Sequence, residues 1–164
     1  DHTLEMVVGH LLTERGYTLA LAESCTGGLI GHLLTNVPGS SAYLDRSLVT
    51  YSEAAKVSHL FVSPDLISRY GVVSLEVAEA MVRGVQKESK ADIALSITGI
   101  AGPNGGTEEK PVGTVFLALL CEKGLHTERF QFGGDRQKIK LAAAYTALDR
   151  LRRAVLDESF FHGK

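Results

Sequence analysis

Residues 18–36 read TLALAESCTGGLIGHLLTN, and they place a strand, a turn and a helix in direct succession. Thr18 to Glu23 is a mostly apolar run of strand length, which indicates a short buried strand. Ser24 to Gly28 supplies the turn, because its two glycines allow tight backbone geometry. Leu29 to Asn36 then predicts a short helix that Pro38 and Gly39 bring to an end. A strand that passes directly into a helix is typical of α/β folds.

The alternation of helices and strands continues on both sides of this unit. Before it, apolar residues from Leu4 to Leu12 recur with helical spacing, and Gly16 ends that helix. After it, the predicted strands are Tyr43–Tyr51, Asp92–Thr98, Val112–Cys121 and Leu125–Phe132. The later predicted helices begin near Ser52, Ser63, Ser74 and Asp135, and the last has an apolar stripe of Leu141, Ala144, Tyr145, Leu148, Leu151 and Val155. This order predicts a three-layer α/β/α sandwich with a mixed, mostly parallel sheet, in which ligands collect where strands end and helices begin.

Length, composition and charge restrict the class of protein. A chain of 164 residues fits a single domain over residues 1–164. The formal net charge is −2 and there is no basic stripe, so we expect no nucleic-acid partner. The longest strongly apolar run is too short to cross a membrane, and the first residues lack a secretory signal, so we expect a cytoplasmic protein with no membrane partner. The two cysteines and six histidines show no metal-ligand spacing, so we expect no metal site.

The turn from Ser24 to Gly28 is the first candidate site. Ser24 offers a hydroxyl and Cys25 a thiol, and the helix that follows offers unpaired N–H groups and a positive dipole end. Such a junction suits a nucleophile beside an oxyanion, or a bound phosphate. The plain alternative is a strand–helix turn in which Thr26 caps the helix. Because local sequence places no His or Asn beside Cys25, Ser24 is the better candidate for a nucleophile.

Three further segments carry candidate residues. Lys56, at the end of TYSEAAK, is either an exposed surface lysine or a buried base whose pKa is lowered by desolvation. Residues 99–113 form a Gly-rich loop after a buried strand, which is either a ligand-binding loop or an irregular crossover. In FGGDRQKIK (132–140), three cations follow the predicted N-cap Asp135, which suits either an anionic ligand or a solvated helix face.

Together these motifs resemble the CinA C-terminal domain family, the nicotinamide-nucleotide amidases (PncC). The matching stretches run from about Leu19 to Lys140 in the family's order: AESCTGG, PGSSAY, TYSEAAK, YGVVS, SITGIAGPNGGTEEKPVGTV and FGGDR. AESCTGG combined with TGIAGPNGGTEEKPVGTV is highly specific. The family hydrolyses the carboxamide of nicotinamide mononucleotide to nicotinic acid mononucleotide and ammonia, with a serine nucleophile, a lysine base and no metal or cofactor.

The resemblance implies a role for each matching residue. Ser24 would be the nucleophile, Lys56 its base, and Thr98 the group that holds or polarises the reacting amide. Gly39 would bring its backbone near Ser24 and Cys25 to help form the oxyanion pocket. The residues implied in substrate binding are Cys25, Thr26, Gly27, Gly39, Tyr51, Gly99 and Arg136.

Within the implied binding group, Thr26 and Gly27 would supply N–H donors, and Arg136 would contact the phosphate of the nucleotide substrate. Lys140 stands where the family usually has Arg, and a lysine cannot grip a phosphate in the bidentate manner of arginine. Glu53-Ala54 stands where the family commonly has Asn-Glu. Small α/β enzymes are often symmetric oligomers, so we also expect a homo-oligomer.

The alternative hypothesis is a non-catalytic nucleotide- or phosphate-binding regulatory domain of a competence- or damage-inducible protein. Such a module would keep the Gly-rich loops and Arg136, but it would not need Lys56 close to Ser24. The distance between these two side chains therefore distinguishes an enzyme from a binding module.

Overall fold

The part of the chain that the structure describes, residues 2–161 without the side chains of residues 158 and 159, contains one five-stranded sheet with helices on both faces. The structure is a computed structural model. The strands are β1 (Leu19–Glu23), β2 (Leu44–Val49), β3 (Ile93–Gly99), β4 (Thr114–Cys121) and β5 (Gly124–Gln131). The helices are α1 (Leu4–Arg15), α2 (Leu29–Thr35), α3 (Glu53–Leu60), α4 (Pro64–Tyr70), α5 (Leu75–Ser89) and α6 (Arg136–Leu156), with 3₁₀ turns at Ser40–Ala42 and Glu158–Phe161.

The sheet has the order β2-β1-β3-β4-β5. β2, β1 and β3 run parallel, whereas β4 and β5 form an antiparallel end joined by a hairpin. The three-layer sandwich with a mixed sheet is therefore confirmed. β2 and β3 lie on opposite sides of β1, so the strand order reverses at β1. At such a reversal in a parallel sheet, a crevice opens at the carboxyl ends of the strands.

The two faces of the sheet carry different side chains. Leu19 and Leu21 of β1, with the apolar residues of β3 and β4 that share their face, pack against α1, α2 and α6. The opposite face presents mainly small residues toward α3, α4 and α5, among them Ala20, Ala22, Ala94 and Ala118. Small side chains let α5 approach the sheet closely, and Ser96 Oγ donates a 2.5 Å hydrogen bond to the carbonyl of Ala78 in that helix.

Helix ends follow the predicted chemistry. The hydroxyls of Ser52 and Ser74 accept hydrogen bonds from Ala55 N and Val77 N, so they cap α3 and α5. Gly16 ends α1 in the left-handed region, at φ +66°.

The predicted stripe of α6 is wrong at two positions. Leu141 and Tyr145 are 47% and 37% exposed, whereas Ala144, Leu148, Leu151 and Val155 are buried as expected. The buried face also includes Ile139, Ala143 and Ala147, so it is centred on smaller residues than the sequence pattern suggests. The reason is that α6 packs against both α1 and α2, and small residues allow that close approach.

Gly84 fixes the distance between α3 and α5. A Cβ at this position would overlap the carbonyl oxygen of Leu60, the last residue of α3. We expect Gly84→Ala to lower the free energy of unfolding by about 1–3 kcal/mol, since α3 must move to relieve the overlap. Urea denaturation measures this loss. Gly133→Ala is the matched control, because a Cβ there meets no atom within 4 Å; equal stability of the two variants would contradict the packing argument.

Candidate active site

Ser24 and Lys56 meet at the carboxyl end of β1. Ser24 is the first residue after that strand, and its N–H donates to the carbonyl of Ile97 in β3. Lys56 lies in the middle of α3 and directs its side chain toward the strand end, so that Nζ lies 2.9 Å from Ser24 Oγ. The connection from β2 into α3 thus brings Lys56 next to Ser24, although the two residues are 32 positions apart in sequence.

Lys56 is fully buried, with 0% of its surface exposed. Besides Ser24 Oγ, its Nζ contacts two backbone oxygens, Thr50 O at 2.6 Å and Tyr51 O at 3.4 Å. None of the ion pairs among the described residues involves it. Burial lowers the pKa of Lys56, an effect that Cys25 and Glu53 oppose electrostatically. Lys56 is therefore a buried lysine and not an exposed surface lysine.

Thr98 lies beside Ser24 on the neighbouring strand. Glu23 pairs with Ile97 in the parallel ladder, so the next residues, Ser24 and Thr98, are adjacent and share a face. Thr98 Oγ1 donates to the carbonyl of Val72 at 3.2 Å. Since its proton is used there, the oxygen lone pairs remain available to accept a hydrogen bond from a ligand.

Cys25 belongs to the opposite face of the sheet. It packs in the apolar cluster under α2 and α6, and a Cβ at Gly99 would lie 3.1 Å from its Sγ, so Gly99 leaves room for the thiol. Desolvation by burial is the main cause that raises the pKa of Cys25, to about 12. A thiol held neutral in this way is a poor nucleophile, which agrees with the preference for Ser24.

Glu23 is a buried polar residue that the sequence analysis did not single out. Its Oε1 accepts from Thr26 Oγ1 and Ile30 N, and its Oε2 accepts from Gly31 N and Ser47 Oγ. α2 begins after Gly28 and has no side-chain cap of its own. Glu23 therefore takes the capping role from the adjacent strand. The sequence does contain a signal for this capping role. A carboxyl group ends an apolar run, and the helix that follows has no Ser, Thr, Asp or Asn cap.

We expect Glu23→Gln to destabilise the protein by about 1–3 kcal/mol, because an amide offers one acceptor oxygen to four donors, three of them buried. Thermal or urea unfolding measures the change. Glu122→Gln, at an exposed position, is the control, and a Glu23→Gln variant as stable as that control would rule out the capping role.

This cap changes which N–H groups a ligand could reach. The N–H groups of Ile30 and Gly31 already donate to Glu23. The prediction that Gly27 supplies an N–H donor is also wrong, because its N–H closes the turn onto the carbonyl of Ser24 at 3.0 Å. Within the described residues, the N–H groups of Cys25 and Thr26 donate to no backbone or side-chain oxygen, although that of Cys25 contacts the thiol of its own side chain, so they are the donors left beside Ser24.

The structure brings Arg136 and Tyr51 together. Arg136 Nη2 donates to the hydroxyl of Tyr51 at 2.7 Å, and Nη1 donates to the carbonyl of Gly102 at 2.5 Å. The guanidinium thus connects the N-terminus of α6, the residues after β2 and the Gly-rich loop. Lys140, one turn further along α6, places its Nζ 3.7 Å from where a Cβ of Gly27 would lie. Two cationic side chains therefore face the same end of the sheet as Ser24.

Gly39 lies elsewhere, so the prediction that its backbone is near Ser24 and Cys25 is wrong for a single chain. Tyr43 O accepts from Leu19 N, which places residues 39–43 at the amino end of β1. Since β1 and β2 are parallel, the segment before β2 and the segment after β1 lie at opposite edges of the sheet. Gly39 instead lines a mostly apolar cavity of about 670 Å³ beside α1.

Lys110 anchors the Gly-rich loop and was not predicted from the sequence. Its Nζ donates to Tyr70 O at 2.9 Å and to Val73 O at 2.6 Å, on either side of the carbonyl that accepts from Thr98. The loop is thereby attached to the α4–α5 connection, next to the site.

The described part of the chain contains neither a cluster of metal-ligating side chains nor a membrane-spanning helix. Across residues 2–161, no cluster of three or more His, Cys, Asp or Glu side chains has a geometry that could hold a metal ion. Among the helices of this same range, none combines the length and apolar character required to span a membrane.

Comparison with known proteins gives a consistent family signal. Residues 1–155 match the family model of the CinA C-terminal domain. A CinA-like protein of Geotalea uraniireducens is 51% identical over 154 residues, which cover 94% of this chain and 37% of that protein. The chain therefore spans less than two fifths of the length of that curated relative.

Two solved structures share the whole fold. The competence/damage inducible protein CihA of Agrobacterium tumefaciens is 39% identical, with a TM-score of 0.89 over 96% of this chain and 98% of that one. A competence-damaged protein (CinA) superfamily protein of Klebsiella pneumoniae is 34% identical, with a TM-score of 0.89 over 93% of this chain and 95% of that one.

Proposed function

This chain belongs to the CinA C-terminal domain family, and on that premise we propose that it is an amidohydrolase that releases ammonia from nicotinamide mononucleotide through Ser24 and Lys56. The observation that carries the proposal is the 2.9 Å contact between Ser24 Oγ and the fully buried Nζ of Lys56. A serine attacks an amide only if a base removes its proton, and a lysine can be that base only when it is neutral. Burial favours the neutral form.

The contacts of Lys56 are consistent with a neutral amine. Such an amine has two N–H groups and one lone pair, and the carbonyls of Thr50 and Tyr51 can only accept hydrogen bonds. With both N–H groups directed to these carbonyls, the lone pair faces Ser24, whose hydroxyl then donates to Nζ.

In the proposed reaction, Lys56 takes the proton of Ser24 while Ser24 Oγ bonds to the carboxamide carbon. The N–H groups of Cys25 and Thr26 stabilise the oxyanion, and Thr98 Oγ1 accepts from the amide nitrogen. The lysine ammonium then protonates that nitrogen as the C–N bond breaks, which releases ammonia and leaves an ester on Ser24. Lys56 next takes a proton from water, the resulting hydroxide attacks the ester carbon, and the proton returns to Ser24 as nicotinic acid mononucleotide leaves.

Arg136 and Lys140 are the proposed partners of the substrate phosphate. Both side chains lie at the same edge of the sheet as Ser24, and Tyr51 orients Arg136 through its hydroxyl. A dianionic phosphate is attracted by two cations more strongly than by either one alone.

The non-catalytic binding module has less support. It explains Arg136 and the Gly-rich loop, but it gives no reason to bury a lysine against a serine, an arrangement that is unfavourable for folding.

The pH dependence of the reaction tests the state of Lys56. We expect kcat/KM to rise with pH while Lys56 loses its proton and to level off below pH 10.4, the ordinary pKa of a lysine, because burial lowers the pKa of this one. Initial rates of ammonia release between pH 6 and 10 give the profile. A rate that still rises tenfold per pH unit at pH 10 would contradict a neutral Lys56.

The function itself is tested by incubating the purified chain with nicotinamide mononucleotide. Stoichiometric release of ammonia and nicotinic acid mononucleotide is the expected result. Binding of the nucleotide without turnover would favour the regulatory module instead.

A further inference from the structure

Thr50 carries a buried hydroxyl without a partner, directly beside the Ser24–Lys56 pair. The residue is 2% exposed, and its Oγ1 is buried and makes no hydrogen bond to any described residue. Both of its backbone groups are used at the site, since its N–H donates to Glu23 O and its carbonyl accepts from Lys56 Nζ. The side chain alone is left unsatisfied.

An unsatisfied buried hydroxyl is unfavourable for folding. Valine has nearly the shape of threonine and would fill the same space without a polar atom to desolvate. Packing alone therefore gives no reason for a hydroxyl at this position, and buried polar groups that lack a partner occur preferentially where chemistry needs them.

The hydroxyl lies on the face where the chemistry is proposed. Leu48 packs against the cluster beneath α5, and Val49 lies on the other face, 3.4 Å from where a Cβ of Gly28 would be. By the alternation of side chains along an extended chain, Thr50 returns to the face of Leu48, which is also the face of Ser24 and Lys56. Ser24 is consequently flanked by Thr50 on one side and by Thr98 on the other.

The number of hydrogen-bond donors on Lys56 changes during the proposed reaction. The neutral amine has two N–H groups, and the Thr50 and Tyr51 carbonyls accept both, the second at a long 3.4 Å. When Lys56 takes the proton of Ser24, it gains a third N–H and a positive charge in a buried position, and charged donors need good acceptors there. Ser24 Oγ is then bonded to carbon and accepts poorly.

We propose that Thr50 is a positioning residue whose hydroxyl accepts a hydrogen bond from the ammonium form of Lys56 once Ser24 has given up its proton. This inference rests on the proposed Ser24–Lys56 chemistry. In the resting state the Thr50 oxygen makes no hydrogen bond to Nζ, and in this proposal the side chain turns toward the ammonium group when that group forms. In the charged state it compensates part of the desolvation of the ammonium group.

Thr50→Val and Thr50→Ser form the matched pair of variants. We expect Thr50→Val to unfold at the same temperature as the unmodified chain or higher, because it removes an unsatisfied polar atom, and yet to lose about 10- to 100-fold in kcat. Thr50→Ser keeps the hydroxyl and restores most of that activity. A Thr50→Val variant that is destabilised, together with a Thr50→Ser variant that is equally impaired, would indicate a packing role and overturn the proposal.

The titration of Lys56 supplies a readout that needs no turnover. The ¹³Cε resonance of Lys56, identified by its absence from Lys56→Met, is followed against pH in Ser24→Ala, where no serine oxygen can accept the third N–H of the ammonium group. Removing a further acceptor of the ammonium form destabilises that form, so adding Thr50→Val to Ser24→Ala should move the titration to lower pH, by about one unit for a tenfold effect. An unchanged titration overturns the proposal whatever happens to kcat. If the unmodified chain releases no ammonia, the proposed function fails, whereas this titration still decides the role of Thr50.

Discussion

Replacing Ser24 with alanine is expected to lower kcat for ammonia release from nicotinamide mononucleotide by a factor on the order of 10⁴ or more. Without Oγ no covalent intermediate forms, and Lys56 Nζ loses the hydroxyl that lies 2.9 Å from it. KM should change little, because the hydroxyl acts on the reacting carbon and the proposed phosphate contacts remain. Ser24 is 7% exposed and its hydroxyl bonds only to Lys56 among the contacts of the described residues, so the free energy of unfolding should fall by at most about 1 kcal/mol.

Ser96→Ala is the control for this experiment. Ser96 is a buried serine on the same face of the sheet, in β3, and its hydroxyl donates to Ala78 O rather than to a lysine. We expect that variant to lose stability and keep its turnover. Ammonia release by Ser24→Ala at a substantial fraction of the unmodified rate would remove Ser24 from the role of nucleophile.

Replacing Lys56 with methionine is expected to reduce kcat by roughly 10³- to 10⁴-fold, because Ser24 then lacks a base and the leaving nitrogen lacks an acid. Methionine keeps the length and apolar stem of lysine, so α3 should stay in place. Lys87→Met, at an exposed position of α5, is the control and should retain full activity. Turnover that survives in Lys56→Met would exclude this lysine as the base.

The same variant reports on the charge of Lys56 through folding stability. In the folded protein the pKa of Lys56 is lowered, whereas the unfolded chain keeps the ordinary value near 10.4. Between these two values the unfolded state binds one proton more, so this group makes the protein more stable as pH rises and less stable as pH falls. Denaturation at pH 7 and pH 9.5 should therefore show that the change of stability with increasing pH is more favourable in the unmodified chain than in Lys56→Met. Identical slopes in the two proteins would mean that Lys56 carries its charge in the folded state.

The element order follows from local patterns, which is why most of it could be predicted. The strands at residues 18–23 and 92–98 are apolar runs of strand length, and the structure places β1 and β3 there with bounds shifted by one residue. Caps at Ser52 and Ser74 involve residues three apart, a distance that sequence alone specifies. The predicted stripe of α6 is wrong at Leu141 and Tyr145 because a helical pattern does not say which neighbours the helix will have.

The structure brings some of the predicted site residues together and separates others. Ser24, Thr98 and Lys56 lie at the end of a parallel strand or in the segment that follows one. Because the carboxyl ends of parallel strands lie together, the topology brings these residues close to one another. Gly39 lies in a motif just as recognisable, but it precedes β2 and therefore falls at the opposite edge of the sheet. The sequence predicts that Gly27 offers its N–H to a ligand, yet the turn itself consumes that donor.

The succession of strands and helices depends on neighbours along the chain, and it could therefore be predicted from the sequence together with the residue types at the carboxyl end of β1. The environment of those residues depends instead on how distant segments pack. Lys56 is an ordinary lysine until α3, seated against α5 at Gly84, removes it from water and places it next to a serine 32 positions away. Desolvation depends on everything that surrounds a group in space, and no local pattern contains that information.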